Sequence, residues 1–354
     1  MKIIEILTPA YDAAWLPWAV QYFFLVAIAT TTAITISGIS FTRADHAARK
    51  ILPAAVVVLV ASAIVAPIAL FADLQQPGRF WHFYAYFTPT SWMSIGAFLL
   101  PIFVALSLLY SFLWWRNKES QLRIIAILLL LSALSVLVYT GAEIMVVRAR
   151  ALWHTIFLPL NLAFTGWLAS LGAILLVARW VPSGLASLPA AIMRRLSLTA
   201  LLLLALSAGG WVIAGLTGVD ASFPAAIDLF STYPTWRLSL YGSVILAILL
   251  VVLLSVRPER VCGPWHSLLC AGVMLGSAWV FRWVVLMSIQ GVPKYGAGLY
   301  LQRLPTGSDG LLGIVGIFGL CVALLAALTW LLARFPRPEY GDNHTLNNAA
   351  LAGQ

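Results

Sequence analysis

Nine apolar runs, each long enough to cross a bilayer, constrain this chain more than any other feature. They fall at 18–41, 51–73, 91–114, 123–147, 156–180, 196–219, 238–256, 267–289 and 311–333. A helix that crosses roughly 30 Å of hydrocarbon needs about 20 such residues. In lipid the backbone must satisfy its own hydrogen bonds, and runs of this length do so as helices. Of the 354 residues, 62% are hydrophobic and 9% charged, where a soluble domain carries roughly a quarter charged. The expected fold class is therefore an all-α integral membrane protein of about nine transmembrane helices. A single polytopic unit is expected over 1–334, with a polar tail over 335–354. The Ser/Thr-rich first run (Thr30, Thr31, Thr32, Thr35, Ser37, Ser40) reads as the least apolar. It follows Glu5 and Asp12 without a basic n-region or a small-residue cleavage site, so a retained helix is expected.

The formal charge of +9 is distributed by topology, which argues against a nucleic-acid surface. Thirteen Lys and Arg lie in one set of connections, from Arg43, Arg49 and Lys50 through to Arg334 and Arg337. Seven lie in the other: Lys2, Arg79, Arg148, Arg150, Arg237, Lys294 and Arg303. The positive-inside rule then places the N-terminus outside, in the periplasm, and the C-terminus in the cytoplasm. Three outer connections, 74–90, 220–237 and 290–310, are long and mix aromatics with Pro, Gly and lone charges. They read either as an interfacial aromatic belt or as a docking surface, for which Arg79, Trp81, Lys294, Tyr295 and Asp309 are the candidates.

Several chemistries are excluded. Cys262, Cys270 and Cys321 lack CxxC spacing, which argues against an iron–sulfur cluster in this chain. His46, His82, His154, His266 and His344 all fall outside the middle of a span, so paired haem ligands between helices are not expected. No metal-ligand spacing or nucleophile motif is present.

Polar residues inside spans are functional candidates because each is costly unless paired or hydrated. Gln21 and Tyr22 follow Trp18 and lie roughly 5 Å inside the first span. Tyr139 and Glu143, four apart, share one helical stripe in the fourth. Asp73 closes the second span, with His82 shortly after it, and Arg282 sits in the eighth between Trp279 and Trp283. Each has a plainer reading: Tyr22 as a belt tyrosine, Asp73 as a cap or a partner of Arg79, and Glu143 as a partner of Arg148 or Arg150. Arg282 reads as a tie between helices, and His82 as an ordinary loop residue. Together they offer what oxidation of a quinol requires, namely hydrogen-bond partners for two ring hydroxyls and an acceptor for departing protons. A secondary transporter is the competing class, although the candidates gather towards one face rather than the midplane. A bare anchor for partner subunits is the third.

The stretches Ala72-Asp73-Leu74, Arg79-Phe80-Trp81-His82-Phe83, Pro89-Thr90-Ser91-Trp92 with Gly96-Ala97, and Tyr139-Thr140-Gly141 with Arg150-Ala151-Leu152-Trp153 resemble the NrfD/PsrC family of membrane subunits. The Trp15–Phe24 stretch, Val292-Pro293-Lys294-Tyr295 and Leu304–Gly310 are similar to members that serve tetrathionate reduction. The resemblance covers about residues 12 to 330. It implies a subunit of the bacterial inner membrane with no haem and no covalently bound cofactor, oxidising menaquinol or ubiquinol near the outer face. Its partners would be a periplasmic four-cluster iron–sulfur subunit and a molybdopterin catalytic subunit, besides membrane lipid and the quinone pool, with no nucleic acid. It also implies Gln21 or Tyr22 together with Tyr139 at the quinone. With Trp18 and His82 these are the expected quinol-binding residues, and Tyr139, Glu143 and Asp73 the expected catalytic ones. A His found in the first span of some relatives is replaced here by Gln-Tyr.

Overall fold

The computed structural model describes residues 15–255, 257–292 and 304–337. Its helices, in order, are α1 (Pro17–Ser40), α2 (Leu52–Asp73), α3 (His82–Ala85), α4 (Trp92–Trp115), α5 (Glu119–Met145), α6 (Phe157–Val177), α7 (Ala190–Leu216), α8 (Ser222–Thr232), α9 (Pro234–Ser255), α10 (Pro258–Val261), α11 (Pro264–Trp283) and α12 (Leu311–Arg334). Among the described residues nine helices are long and apolar enough to cross a membrane: α1, α2, α4, α5, α6, α7, α9, α11 and α12. Two of these spans are composite. A 3-10 turn, Ala47–Ile51, leads into α2, and a π-helical turn, Val284–Ser288, continues α11. The outer connection expected as a loop over 220–237 contains helix α8, whose apolar positions recur at helical spacing. Residues 293–303, with the expected docking candidates Lys294 and Tyr295, lie outside the described residues, as does the tail beyond Arg337.

Helix α1 is the most deeply buried of the nine and packs against α2, α5, α6, α11 and α12. Its hydroxyls turn back on its own backbone. Thr30, Thr31, Thr35 and Ser40 donate to the carbonyls four residues earlier at 2.6–2.9 Å. The first span does not stand alone as the least apolar, because α6 matches its mean hydropathy of 1.8 and the α11 span is lower at 1.7. These three helices pack on one another. Most of α1 and α6 is buried within the protein, so low hydropathy in these two marks position in the bundle rather than a weak span.

The tie between them is Arg282, fully buried on α11. It donates from Nε to the Phe23 carbonyl on α1 (2.9 Å), from Nη2 to the Leu162 carbonyl on α6 (2.8 Å), and from Nη1 to Thr165 Oγ1 (3.3 Å) and the Ala278 carbonyl (2.9 Å). A Cβ on Gly166 would stand 2.7 Å from Ala27 Cβ and 3.2 Å from Arg282 Nη2, so glycine is what lets α6 approach α1 around the guanidinium. Of the readings open for Arg282, the interhelical tie is the one the geometry supports.

The two ends of the bundle are built differently. At one, Glu119 at the start of α5 accepts from Arg49 (3.1 Å) and Arg337 (2.9 Å), while the Ser40 and Tyr110 hydroxyls meet at 2.6 Å. These contacts gather the ends of α1, α2, α4, α5 and α12. At the other, Arg150 donates to the carbonyls of Ile289 (2.7 Å) and Val292 (3.0 Å), Trp153 Nε1 donates to Val285 O (2.8 Å), and the Gln290 amide brackets the backbone of Trp15. This second end carries the candidate site.

Candidate functional site

A cavity of about 510 Å³ opens between α2, the 80–84 segment, α4 and α5. Its walls are apolar except for the hydroxyls of Tyr84 and Tyr139 and the carboxyl of Glu143. Tyr139 and Glu143 are presented together because four residues return an α-helix to nearly the same face. Both are buried. Tyr22, fully buried on α1, stands behind them, and the three side chains lie within electrostatic reach of one another. Tyr22 Oη and Glu143 Oε2 are buried with no hydrogen-bond partner among the described residues. Buried polar groups are ordinarily satisfied, so an unoccupied acceptor on Glu143 at the wall of a cavity marks where a ligand's donor could bind.

The wall is shaped by residues that chemistry-led reading passes over. A Cβ at Gly96 would lie 2.1 Å from Tyr139 Cζ and 2.6 Å from its hydroxyl, so the absence of a side chain on α4 is what gives the Tyr139 ring its place. Pro67 and Pro101 both lie inside helices at the cavity. Pro101 has no N–H to give the Ala97 carbonyl, and Ala97 is itself in the wall. Prolines inside apolar runs were visible in the sequence as a signal; the contact of Gly96 with Tyr139 was not. Phe71, Phe80 and Tyr84 form an edge-on aromatic chain over the cavity, with rings 5.6 and 6.5 Å apart, and Tyr84 continues it to Phe98 at 5.3 Å.

The remaining candidates separate. Gln21 points to the other side of α1, accepting from Trp279 Nε1 at 3.0 Å. Trp18 lies against α12 at Gly313. Neither lines the cavity. His82 packs between Trp81 (4.1 Å between rings) and Tyr86 (5.4 Å), beside the cavity rather than in it. Asp73 accepts from the backbone N–H of Leu16 at 3.0 Å. It thereby caps the first turn of α1, whose own N-cap residue supplies no side-chain bond. Asp73 forms no ion pair with Arg79, and Glu143 none with Arg148, among the described residues. Arg79, Trp81 and Asp309 are exposed. No cluster of three or more His, Cys, Asp or Glu that could hold a metal occurs among the described residues.

A family model described as "Polysulphide reductase, NrfD" matches residues 7–294. The chain belongs to the NrfD family. A tetrathionate reductase subunit of Salmonella typhimurium is 33% identical to it over 333 residues, 91% of this chain and 93% of that protein. The family model's residues 7–294 span both walls of the cavity, α2 with the 80–84 segment and α4 with α5, and reach past Arg282. For this NrfD-family chain, the nine membrane-length helices among the described residues make a multi-pass membrane protein.

Proposed function

We propose that this chain is the membrane anchor of a reductase complex of the tetrathionate-reductase kind and that it oxidises quinol in the Tyr139–Glu143 cavity. Family membership and the likeness to a protein of tetrathionate reductase support the anchor role. The observation that carries the redox role is an apolar, lipid-scale cavity whose deep polar groups are one tyrosine and one carboxyl with a free acceptor. Small-molecule sites are commonly 300–1,000 Å³, mostly apolar, with a few convergent polar groups. A quinol ring placed there donates one hydroxyl to Glu143 Oε2 and meets the Tyr139 hydroxyl with the other. As its two electrons leave for an iron–sulfur partner, Glu143 takes the first ring proton, releases it and takes the second, while Tyr139, backed by Tyr22, orients the ring. The product is the quinone, with both ring protons passed outward. Menaquinol and ubiquinol each carry the two ring hydroxyls that this reading requires.

The charge asymmetry between connections supports a cavity end at the periplasmic face of a bacterial inner membrane, with the N-terminus outside. The exposed Arg79, Trp81 and Asp309 at that end would meet the iron–sulfur subunit, which passes electrons to a molybdopterin subunit. In the reconstituted complex, Tyr139→Phe and Glu143→Gln should each depress quinol oxidation. Reduction of the terminal acceptor from an artificial dye should persist. If the double variant turns over quinol at the wild-type rate, the site is elsewhere.

A further inference from the structure

We propose that a membrane phospholipid seats an acyl chain in a second cavity, on the face of α2 opposite the Tyr139 site. This cavity, about 360 Å³, lies between α1, α2, α6, α11 and α12. Phe24, Trp279 and Phe318 form an aromatic floor, with Phe318 6.2 Å from Phe24 and 6.5 Å from Trp279 between ring centres. Its depth is that of lipid tails. Ile28, Ser62 and Val322, which line it, stand near the middles of α1, α2 and α12.

The polar atoms of the lining are already used. The Ser62 hydroxyl donates to the Val58 carbonyl at 2.6 Å, and the Trp279 indole N–H donates to Gln21 at 3.0 Å. What remains is the Cys321 thiol, a weak hydrogen-bonding group. No headgroup or quinone ring finds a partner here, so hydrocarbon is the only chemistry the walls accept. The space is open: a Cβ on Gly276, which lines the cavity, would meet no atom within 4 Å. Walls without neighbours forfeit dispersion contacts, and a saturated chain restores them. Gly276 and Val322 are both exposed, and they give the cavity a mouth towards surrounding lipid.

Helix geometry sets the source of the chain. Val58, Ala61 and Ser62 line this cavity, and Pro67, Leu70 and Phe71, each nine residues further on, line the Tyr139 cavity. Nine residues are two and a half helical turns, so α2 stands between the two spaces. The isoprenoid tail of a quinol bound at Tyr139 starts on the wrong side of α2. A chain from the bilayer enters directly between α11 and α12. Seated there, it joins α12, which touches the bundle mainly through α2 and α1, to α6 and α11 as well.

The test uses the intact complex in mild detergent, delipidated in steps, with residual phospholipid extracted and quantified for wild type, Gly276→Leu and Val322→Phe. Gly276→Leu fills the space from α11, and Val322→Phe obstructs its mouth. Wild type is expected to keep a phospholipid that both variants lose. Its thermal unfolding should fall when that lipid is finally stripped, whereas Gly276→Leu should lose no stability at that step, because a ligand bound to the folded state alone raises stability. The proposal is overturned if wild type retains no phospholipid, if both variants retain it equally, or if the retained molecule is a quinone. It is also overturned if filling the space changes the oligomeric state and not the lipid content. Should Gly276→Leu fail to assemble, Val322→Phe and the wild-type delipidation series decide.

Discussion

Replacing Gly96 by alanine tests the catalytic geometry without removing any functional group. The added Cβ would lie 2.1 Å from Tyr139 Cζ, 2.2 Å from Cε2 and 2.6 Å from the hydroxyl. Carbon atoms in contact rest at about 3.5–4.0 Å, so the ring or α4 must yield by roughly 1.5 Å. The Tyr139 ring is the mobile partner, since a side chain at the cavity wall rotates more readily than a hydrogen-bonded helix backbone shifts. A displacement of about 1 Å at a reacting centre can lower turnover by roughly 100-fold, equivalent to about 2.7 kcal/mol of barrier. Stability changes less, because overpacking of about 1–3 kcal/mol is partly offset by the roughly 1 kcal/mol that alanine gains over glycine within a helix. The assay is quinol oxidation by the reconstituted complex, with kcat and KM separated and dye-driven reduction measured in parallel. A fall in kcat with intact dye-driven reduction is expected. Because Gly96 acts through the Tyr139 ring, Gly96→Ala in a Tyr139→Phe background should add far less than it does alone. Wild-type turnover for Gly96→Ala, or full additivity of the pair, refutes the reasoning.

Asp73 is where capping and proton transfer predict different outcomes. As a cap, Asp73→Asn keeps an acceptor for Leu16 N–H and should preserve activity, whereas Asp73→Ala should lose about 1 kcal/mol of stability in thermal unfolding; abolished quinol oxidation in Asp73→Asn alone would make it a proton acceptor instead. Arg282→Leu strands buried acceptors on α1 and α6, each worth roughly 1–3 kcal/mol, and should sharply reduce detergent-stable protein, so an unchanged melting temperature would contradict the tie. In the connection before α8, burial raises the proton affinity of Asp220, but hydrogen bonds from Ser222 and Thr155 outweigh it and hold the carboxyl below its usual value. Its contribution is therefore present above the unfolded pKa of about 3.9 and lost as pH falls through the lower folded value. Melting curves of wild type and Asp220→Asn should differ at neutral pH and converge in strong acid, and a constant gap would refute the assignment.

The helices were legible because lipid leaves the backbone few choices, and run length reported each crossing. The pairing of Tyr139 with Glu143 was legible from helical spacing alone. Which neighbours those residues meet was not. Gln21 and Tyr22 are adjacent in sequence and point to different faces of α1, one to Trp279 and the other to the Tyr139 cluster, a divergence of about 100° that only the packing of α5 and α11 resolves. Asp73 reads as a proton site from the sequence because carboxylates near a span end are conspicuous. Its partner is a backbone N–H some sixty residues earlier, which no local pattern announces. Gly96 carried no chemical signal, since its contribution is the space it leaves.

The central position of α1 bears on how the protein is made. This helix leaves the ribosome before the others, yet its Thr and Ser side chains suit it to protein neighbours better than to lipid. The bond that fixes its Phe23 carbonyl comes from Arg282, more than 250 residues later in synthesis. Until then the nascent chain holds its core helix by packing on α2, α5 and α6, without that bond. Chains truncated before α11 should accordingly enter the membrane and still be cleared by proteases, because the core helix then lacks the guanidinium that joins it to α6 and α11.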